Sequence, residues 1–230
     1  MEGLIPSGTT RIPRRTPAEV LFGAASAVVR GIEGDFAMLD RARPGVRVWT
    51  CDQAAVVLGV SRDLAVEVDT HECARRSVAA VRRASGGGTV VVGPGTVQYA
   101  LVIPHVAGAE PPSLDAVRRA CNRAVVRALA RCGIAGGIDE DVSGDLRTGD
   151  RKIGGLALRR HREATLLHGT LLAEADLDLI CAVLRHPARE PEWRRGRAHG
   201  AFLATIGAFD TRAFARELEL ARGEQMDHSA

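Results

Sequence analysis

Lysine is nearly missing from this chain. Of its 31 lysine and arginine residues, spread over 230 positions, one is a lysine, Lys152. Wherever any cation serves, the sequence uses arginine. The exception reads either as a place where a compact ammonium fits and a planar guanidinium does not, or as a surface lysine kept by chance. Aromatic residues are scarce too, at 3% against 46% hydrophobic residues overall, so the core must be built from Val, Leu, Ala and Ile. The five cysteines (Cys51, Cys73, Cys121, Cys132, Cys181) are odd in number and never spaced Cys-x-x-Cys. That pattern argues against a disulfide frame or a zinc site and fits reduced thiols in the cytoplasm. No stretch approaches the roughly 20 apolar residues of a membrane span. The opening MEGLIPSGTTRIPRRTP lacks the apolar segment of a signal peptide. A net charge of +3 is too close to balance to indicate a nucleic-acid partner. The expectation is a cytoplasmic protein forming a single domain over residues 1–230, acting without nucleic acid or membrane.

The chain order then suggests a fold class. Residues 17–32 read as an amphipathic helix capped by Thr16, with Pro17 in the first turn. Short apolar runs at 46–50, 54–59 and 78–83 read as strands. Residues 89–92 and 97–103 flank Gly93-Pro94-Gly95, the signature of a hairpin turn. Residues 113–132 have helical periodicity, a serine cap and Gly133 at the end. Two or three strands follow between 136 and 172. Helices are expected at 175–184 and about 210–222, with a frayed tail after them. Hairpins without regular strand–helix alternation predict an α+β fold, with mixed and antiparallel sheets and flanking helices.

Three segments carry candidate chemistry. RRASGGGTVVVGPGT (82–96) spends three consecutive glycines where each costs backbone entropy. It reads either as a flexible hairpin turn or as a backbone cradle for a phosphate-bearing ligand. SGDLRTGDRKIGGLALRR (143–160) holds the sole lysine. In a regular strand Lys152 and Gly154 face one way and Arg151 and Ile153 the other, leaving room for a ligand beside the lysine. LLHGTLL (166–172) sets His168 next to a glycine.

Together these segments resemble the lipoate–protein ligases: GDRKIGGLALRR and HGTLL match two signature strands, and RRASGGG matches the family's phosphate loop. The resemblance covers about residues 17–207. It implies a catalytic domain with the fold shared by biotin–protein ligases and class II aminoacyl-tRNA synthetase cores. It also implies a reaction in which ATP, with Mg2+, and lipoate give a lipoyl-adenylate, whose acyl group passes to a lysine of a lipoyl acceptor domain. By the same resemblance Arg83, Gly86, Gly87, Gly88 and Thr89 hold the phosphates, with Ser85, Val90 and Gly155 in the same binding site. Lys152 touches the α-phosphate and the acyl carbonyl, Asp145 is an acidic residue near the nucleotide, and His168 lines the acyl pocket mouth. Where the family usually has a histidine–aspartate pair after the glycines, this chain reads VVVGPGT. The C-terminal accessory domain of many such ligases has no counterpart in these residues, which leaves room for a separate accessory subunit.

Two other readings stay open. An octanoyltransferase of the same fold would need no ATP and would use a cysteine nucleophile. A non-catalytic module would only hold lipoate or a nucleotide. Arg194, Arg195 and Arg197 read either as solvated surface or as a docking patch for an acidic acceptor domain.

Overall fold

The computed structural model describes residues 16–134 and 136–227. Its first elements differ from the single helix expected over 17–32. Ala18–Phe22 is a strand, β1, and the helix α1 runs over Ser26–Arg41. Gly23, at φ +73°, separates them, and β1 pairs with the strand that leads into the glycine loop. What reads as one helical period is a paired strand followed by a helix. The helix's own apolar face is Val28, Ile32, Phe36 and Leu39, at the spacing of successive turns.

After α1 come β2 (Gly45–Trp49), β3 (Ala55–Leu58), the short helices α2 (Leu64–Glu67) and α3 (Thr70–Arg75), β4 (Ala79–Arg83), β5 (Val90–Val92) and β6 (Thr96–Pro104). Helix α4 (Leu114–Arg131) has Ser113 as N-cap, accepting from the Ala116 N–H at 3.1 Å. Then follow β7 (Ile138–Glu140), β8 (Leu146–Thr148), β9 (Arg151–Arg160), β10 (Ala164–Leu172), α5 (Leu177–Val183), α6 (His199–Phe202) and α7 (Thr211–Asp227). Helix α7 continues through Asp227, past the end expected near 222. The last residues, 228–230, and the opening segment 1–15 lie outside the described residues.

The strands form two sheets, one of four strands ordered β1-β4-β3-β5 and one of six ordered β2-β6-β10-β9-β8-β7. The larger is antiparallel throughout. The smaller is mixed, with β3 and β4 parallel. Strands β5 and β6 do not form the expected hairpin: β5 pairs with β3 and β6 with β2 and β10. Gly93-Pro94-Gly95 instead carries the chain from one sheet to the other.

Alternation along β6 and β10 builds the layers. Tyr99, Leu101, Leu167 and Leu171 pack with α4 and α7, while Ala100, Val102, Ala164 and Leu166 pack with α1 and the small sheet. The far side of the small sheet is covered by α3, α5 and α6. Each fully buried Val, Leu or Phe in these clusters stabilises by roughly 1.5–3 kcal/mol. On the inner face of the large sheet the same alternation sets Gln98, His168 and Thr170 toward the small sheet. There polar groups interrupt the core.

Candidate active site between the sheets

A cavity of about 210 Å³ opens between the sheets, walled by β5 and the end of the glycine loop, by β9 and β10, and by residues 194–203. Arg83, Gly88, Thr89, Val90, Asp145, Lys152, Gly155 and His168 line it. Ser85, Gly86 and Gly87 are not among its lining residues.

The glycine loop is held by its carbonyls. Arg83, only 6% exposed, donates from Nη2 to the Gly86 and Gly88 oxygens at 2.7 and 2.8 Å. It also donates from Nη1 to Val57 O at 3.1 Å and from Nε to Ser85 Oγ at 3.0 Å. Arg62 Nε takes the Gly87 oxygen at 3.0 Å. In a trans peptide the N–H points opposite to the C=O. The Gly87, Gly88 and Thr89 amides are thereby turned away from both guanidiniums, and they meet no protein acceptor among the described residues. Gly87 sits at φ +90°, where only glycine is unstrained. Consecutive free amides of this kind form a concavity for an anion. Thus the guanidinium of Arg83 faces the loop's carbonyls, and its effect on a phosphate would pass through the amides it orients. Burial lowers its pKa to about 10, which leaves it charged at neutral pH. The Thr89 hydroxyl is also committed, donating to Glu67, a buried carboxylate that Arg62 pairs with at 3.1 Å.

On the opposite wall Lys152 Nζ lies 2.7 Å from Asp145 Oδ1. The expected alternation along β9 is broken. Leu146 pairs with Gly154 but Arg147 pairs with Lys152, so Ile153 is the extra residue of a β-bulge. Ile153 and Gly154 both turn toward the α4–α7 side, and it is Gly155, not Gly154, that shares the lysine's face. A Cβ on Gly155 would lie 3.1 Å from both Asp145 Oδ1 and Lys152 Nζ. Gly155→Ala should therefore displace the ammonium with little effect on folding. We expect ligand turnover to drop about tenfold or more with Tm nearly unchanged, and equal turnover in the two proteins would show that the contact is slack.

His168 is fixed from both sides. Its Nε2 is 2.6 Å from Ser85 Oγ and its Nδ1 3.4 Å from Asp35 Oδ2. Asp35 also takes Arg47 Nη1 at 2.5 Å and Trp49 Nε1 at 3.2 Å. A carboxylate only accepts, so Nδ1 carries a proton, and in the neutral ring Nε2 accepts from the Ser85 hydroxyl. The order Ser–His–Asp resembles a hydrolytic triad, but Ser85 is fully buried and its oxygen already accepts from Arg83. It is a relay joining α1, β10 and the glycine loop. Reading the sequence missed Asp35. The available signal was an aspartate on the apolar face of α1, one place before Phe36.

The arginine-rich segment folds over the cavity. Arg194 is 4% exposed and Arg197 stacks on Trp193 and Phe202, at 5.7 and 5.2 Å from the ring centroids. Neither is the freely solvated charge expected of a surface run; Arg195 is exposed. His199 beside them has its pKa lowered to about 4 by burial and then by Arg194, His186 and Lys152. Its folded value lies below the usual one, so the stability it contributes is complete above about pH 6.5 and is lost as pH falls toward 4. His199→Gln should flatten the acid side of a Tm-against-pH curve across that window. A parallel loss in both proteins would assign acid sensitivity elsewhere.

No cysteine lines the cavity among the described residues. Burial raises the thiol pKa of Cys73 to about 11, and those of Cys121 and Cys132 are raised by the same cause. None of these three is an activated nucleophile.

This combination of sheets, glycine loop and lysine strand has counterparts among known proteins. The sequence model of the lipoyl protein ligase A/B catalytic domain matches residues 36–200, more than half of the chain. The chain belongs to that family. It is 29% identical over 153 residues to lipoate-protein ligase A subunit 1 of Thermoplasma acidophilum, a match covering 63% of this chain and 56% of that one. More distantly, it is 22% identical over 172 residues to the octanoyltransferase LipM of Brevibacillus brevis, covering 66% and 62%. Among solved structures, a bi-partite lipoate protein ligase of Thermoplasma acidophilum, described with its E2 lipoyl domain, superposes with a TM-score of 0.66 at 23% identity, over 84% of this chain and 76% of that one. A lipoate-protein ligase A bound with ATP superposes with a TM-score of 0.60 at 25% identity, over 80% and 73%. The chain spans about half the length of the curated relatives it matches. Its fold is that of the lipoate-protein ligases. Among the described residues no helix is long and apolar enough to cross a membrane.

Proposed function

We propose that this chain is the catalytic part of an ATP-dependent lipoate–protein ligase, which activates lipoate or octanoate as the acyl-adenylate and transfers it to a lysine of a lipoyl acceptor domain. The observation that carries the reading is the pairing in one cavity of a lysine held by a carboxylate with the end of the glycine loop, where the Gly88 and Thr89 amides meet no protein acceptor among the described residues. The amides suit phosphate oxygens. The lysine suits the junction where the substrate carboxylate approaches the α-phosphate, since its ammonium offsets charge that grows as the two anions meet. Asp145 fixes the ammonium's direction, and Val57, Val90, Leu172 and Ile180 give an apolar wall for an acyl chain.

Magnesium would ride on the nucleotide. Among the described residues no cluster of three or more His, Cys, Asp or Glu offers a site, so phosphate oxygens and water would supply most of its coordination. Bound there, it would neutralise charge on the leaving pyrophosphate. In the second half-reaction an acceptor lysine would displace AMP at the acyl carbon. A separate subunit completing the ligase is part of this reading, as the relative called subunit 1 suggests.

Incubation with ATP, Mg2+ and lipoate, followed by mass spectrometry, tests the proposal. Lipoyl-adenylate is the expected product. Octanoyl transfer from a carrier protein without ATP, and abolished by a thiol reagent, would favour the transferase instead.

A further inference from the structure

Arg194 stands apart from the other arginines of its segment. It ends a single 3-10 turn, Glu192–Arg194, and its side chain is 5% exposed. Its guanidinium lies 4.8 Å from the Phe202 ring centroid. Nε donates to Arg197 O at 2.9 Å and lies 3.4 Å from Glu190 Oε2. Glu190 is further occupied by His186 Nε2 at 2.9 Å and the Gly196 N–H at 2.7 Å. Nη2, by contrast, is buried and has no hydrogen-bond partner. A buried guanidinium nitrogen without an acceptor is costly, because its hydration is lost and nothing replaces it. Arg194 lines the same cavity as Lys152 and His199.

The chain fixes this arginine relative to the lysine. Leu203 bridges Lys152 in parallel register, and the Ala204 N–H donates to the Lys152 carbonyl at 2.9 Å. Arg151 reaches Gly200 O at 3.0 Å, and Arg197 reaches Asp150 O at 2.8 Å. Residues 194–204 are thus stapled to the start of β9. Of the charged lining residues, Arg83, Lys152 and Arg194 are positive and Asp35 and Asp145 negative, with Asp35 already paired to Arg47. The imbalance suits an anion.

We infer that Arg194 is a second cationic ligand for the phosphoryl group that Lys152 faces, its guanidinium donating to a phosphoryl oxygen. The inference rests on the adenylate-forming reading and adds a residue to it. A phosphoryl group is the better match than the acyl carboxylate, because it persists in both half-reactions, whereas the carboxylate is consumed in the first. A guanidinium also presents a fixed fork to phosphate oxygens.

The test compares AMP with adenosine by isothermal titration, using the wild type, Arg194→Met and Arg194→Lys. Methionine keeps an apolar stem against Phe202 and removes the charge. We expect AMP to bind the wild type at least tenfold more tightly than adenosine. Arg194→Met should lose about tenfold in AMP affinity with adenosine unchanged, and Arg194→Lys should lose less. In the unsubstituted protein, the Arg194 guanidinium NMR signals should move on adding AMP but not adenosine, which keeps the test open if the methionine variant does not fold. Undiminished AMP preference in Arg194→Met would overturn the inference. So would an equal loss for AMP and adenosine, which marks a wall residue, or a loss confined to free lipoate, which assigns the arginine to the carboxylate. A wild type that binds neither AMP, adenosine nor ATP would overturn the ligase reading itself.

Discussion

Lys152→Ala is expected to lower the rate of adenylate formation by about a hundredfold to a thousandfold, the effect of removing one positioned charge from a developing anionic centre. Stability should change little. The ion pair with Asp145 is only part-buried, with side chains 29% and 14% exposed, so its loss is worth on the order of 1 kcal/mol. That corresponds to roughly 2–4 °C in Tm for a chain of this size. Lys152→Arg should fail as well, because the ammonium is flanked by Asp145 and by the bare Cα of Gly155, where a planar fork has no room. The measurements are lipoyl-adenylate production and a thermal melt. An alanine variant with most of the wild-type rate, or a fully active arginine variant, would remove the lysine from the chemistry.

Arg83→Met should have a double effect. Removing this buried cation strips partners from the oxygens of Val57, Gly86 and Gly88 and from the Ser85 hydroxyl. Each stranded acceptor costs about 1–3 kcal/mol, and water would relieve some of them. A total near 3 kcal/mol, or roughly 6–12 °C in Tm, is expected. Nucleotide affinity should fall further than stability accounts for, since the loop amides lose the carbonyl anchors that aim them. A folded Arg83→Met protein binding AMP as the wild type does would show that the loop holds its shape without the arginine.

How much of this was visible in the chain depends on the range of the signal. Ser113 and Gly133 bracket α4, and the alternation of LLHGTLL gives β10, because caps and period-two burial are local. The glycine run, the sole lysine and the histidine could be read as one site only through the family resemblance that their motifs carry. Three features could not. Valines buried on both sides of the small sheet carry no mark of which sheet they join, so β5 and β6 looked like partners. The bulge at Ile153 depends on how β8 pairs, and that moved the relevant glycine from 154 to 155. Asp35 and Arg194 matter through contacts far along the chain, Asp35 with His168 and Arg194 with the cavity beside Lys152; neither neighbourhood is written in adjacent residues.

The arginine-held loop has a thermodynamic consequence for binding. Ordering a backbone residue costs roughly 1–2 kcal/mol, and glycine loses the most. Because Arg83 and Arg62 already hold the carbonyls of Gly86, Gly87 and Gly88, that ordering belongs to folding and not to the encounter with a ligand. An anion arriving there meets amides already in place, so its affinity is not reduced by a search for the competent conformation.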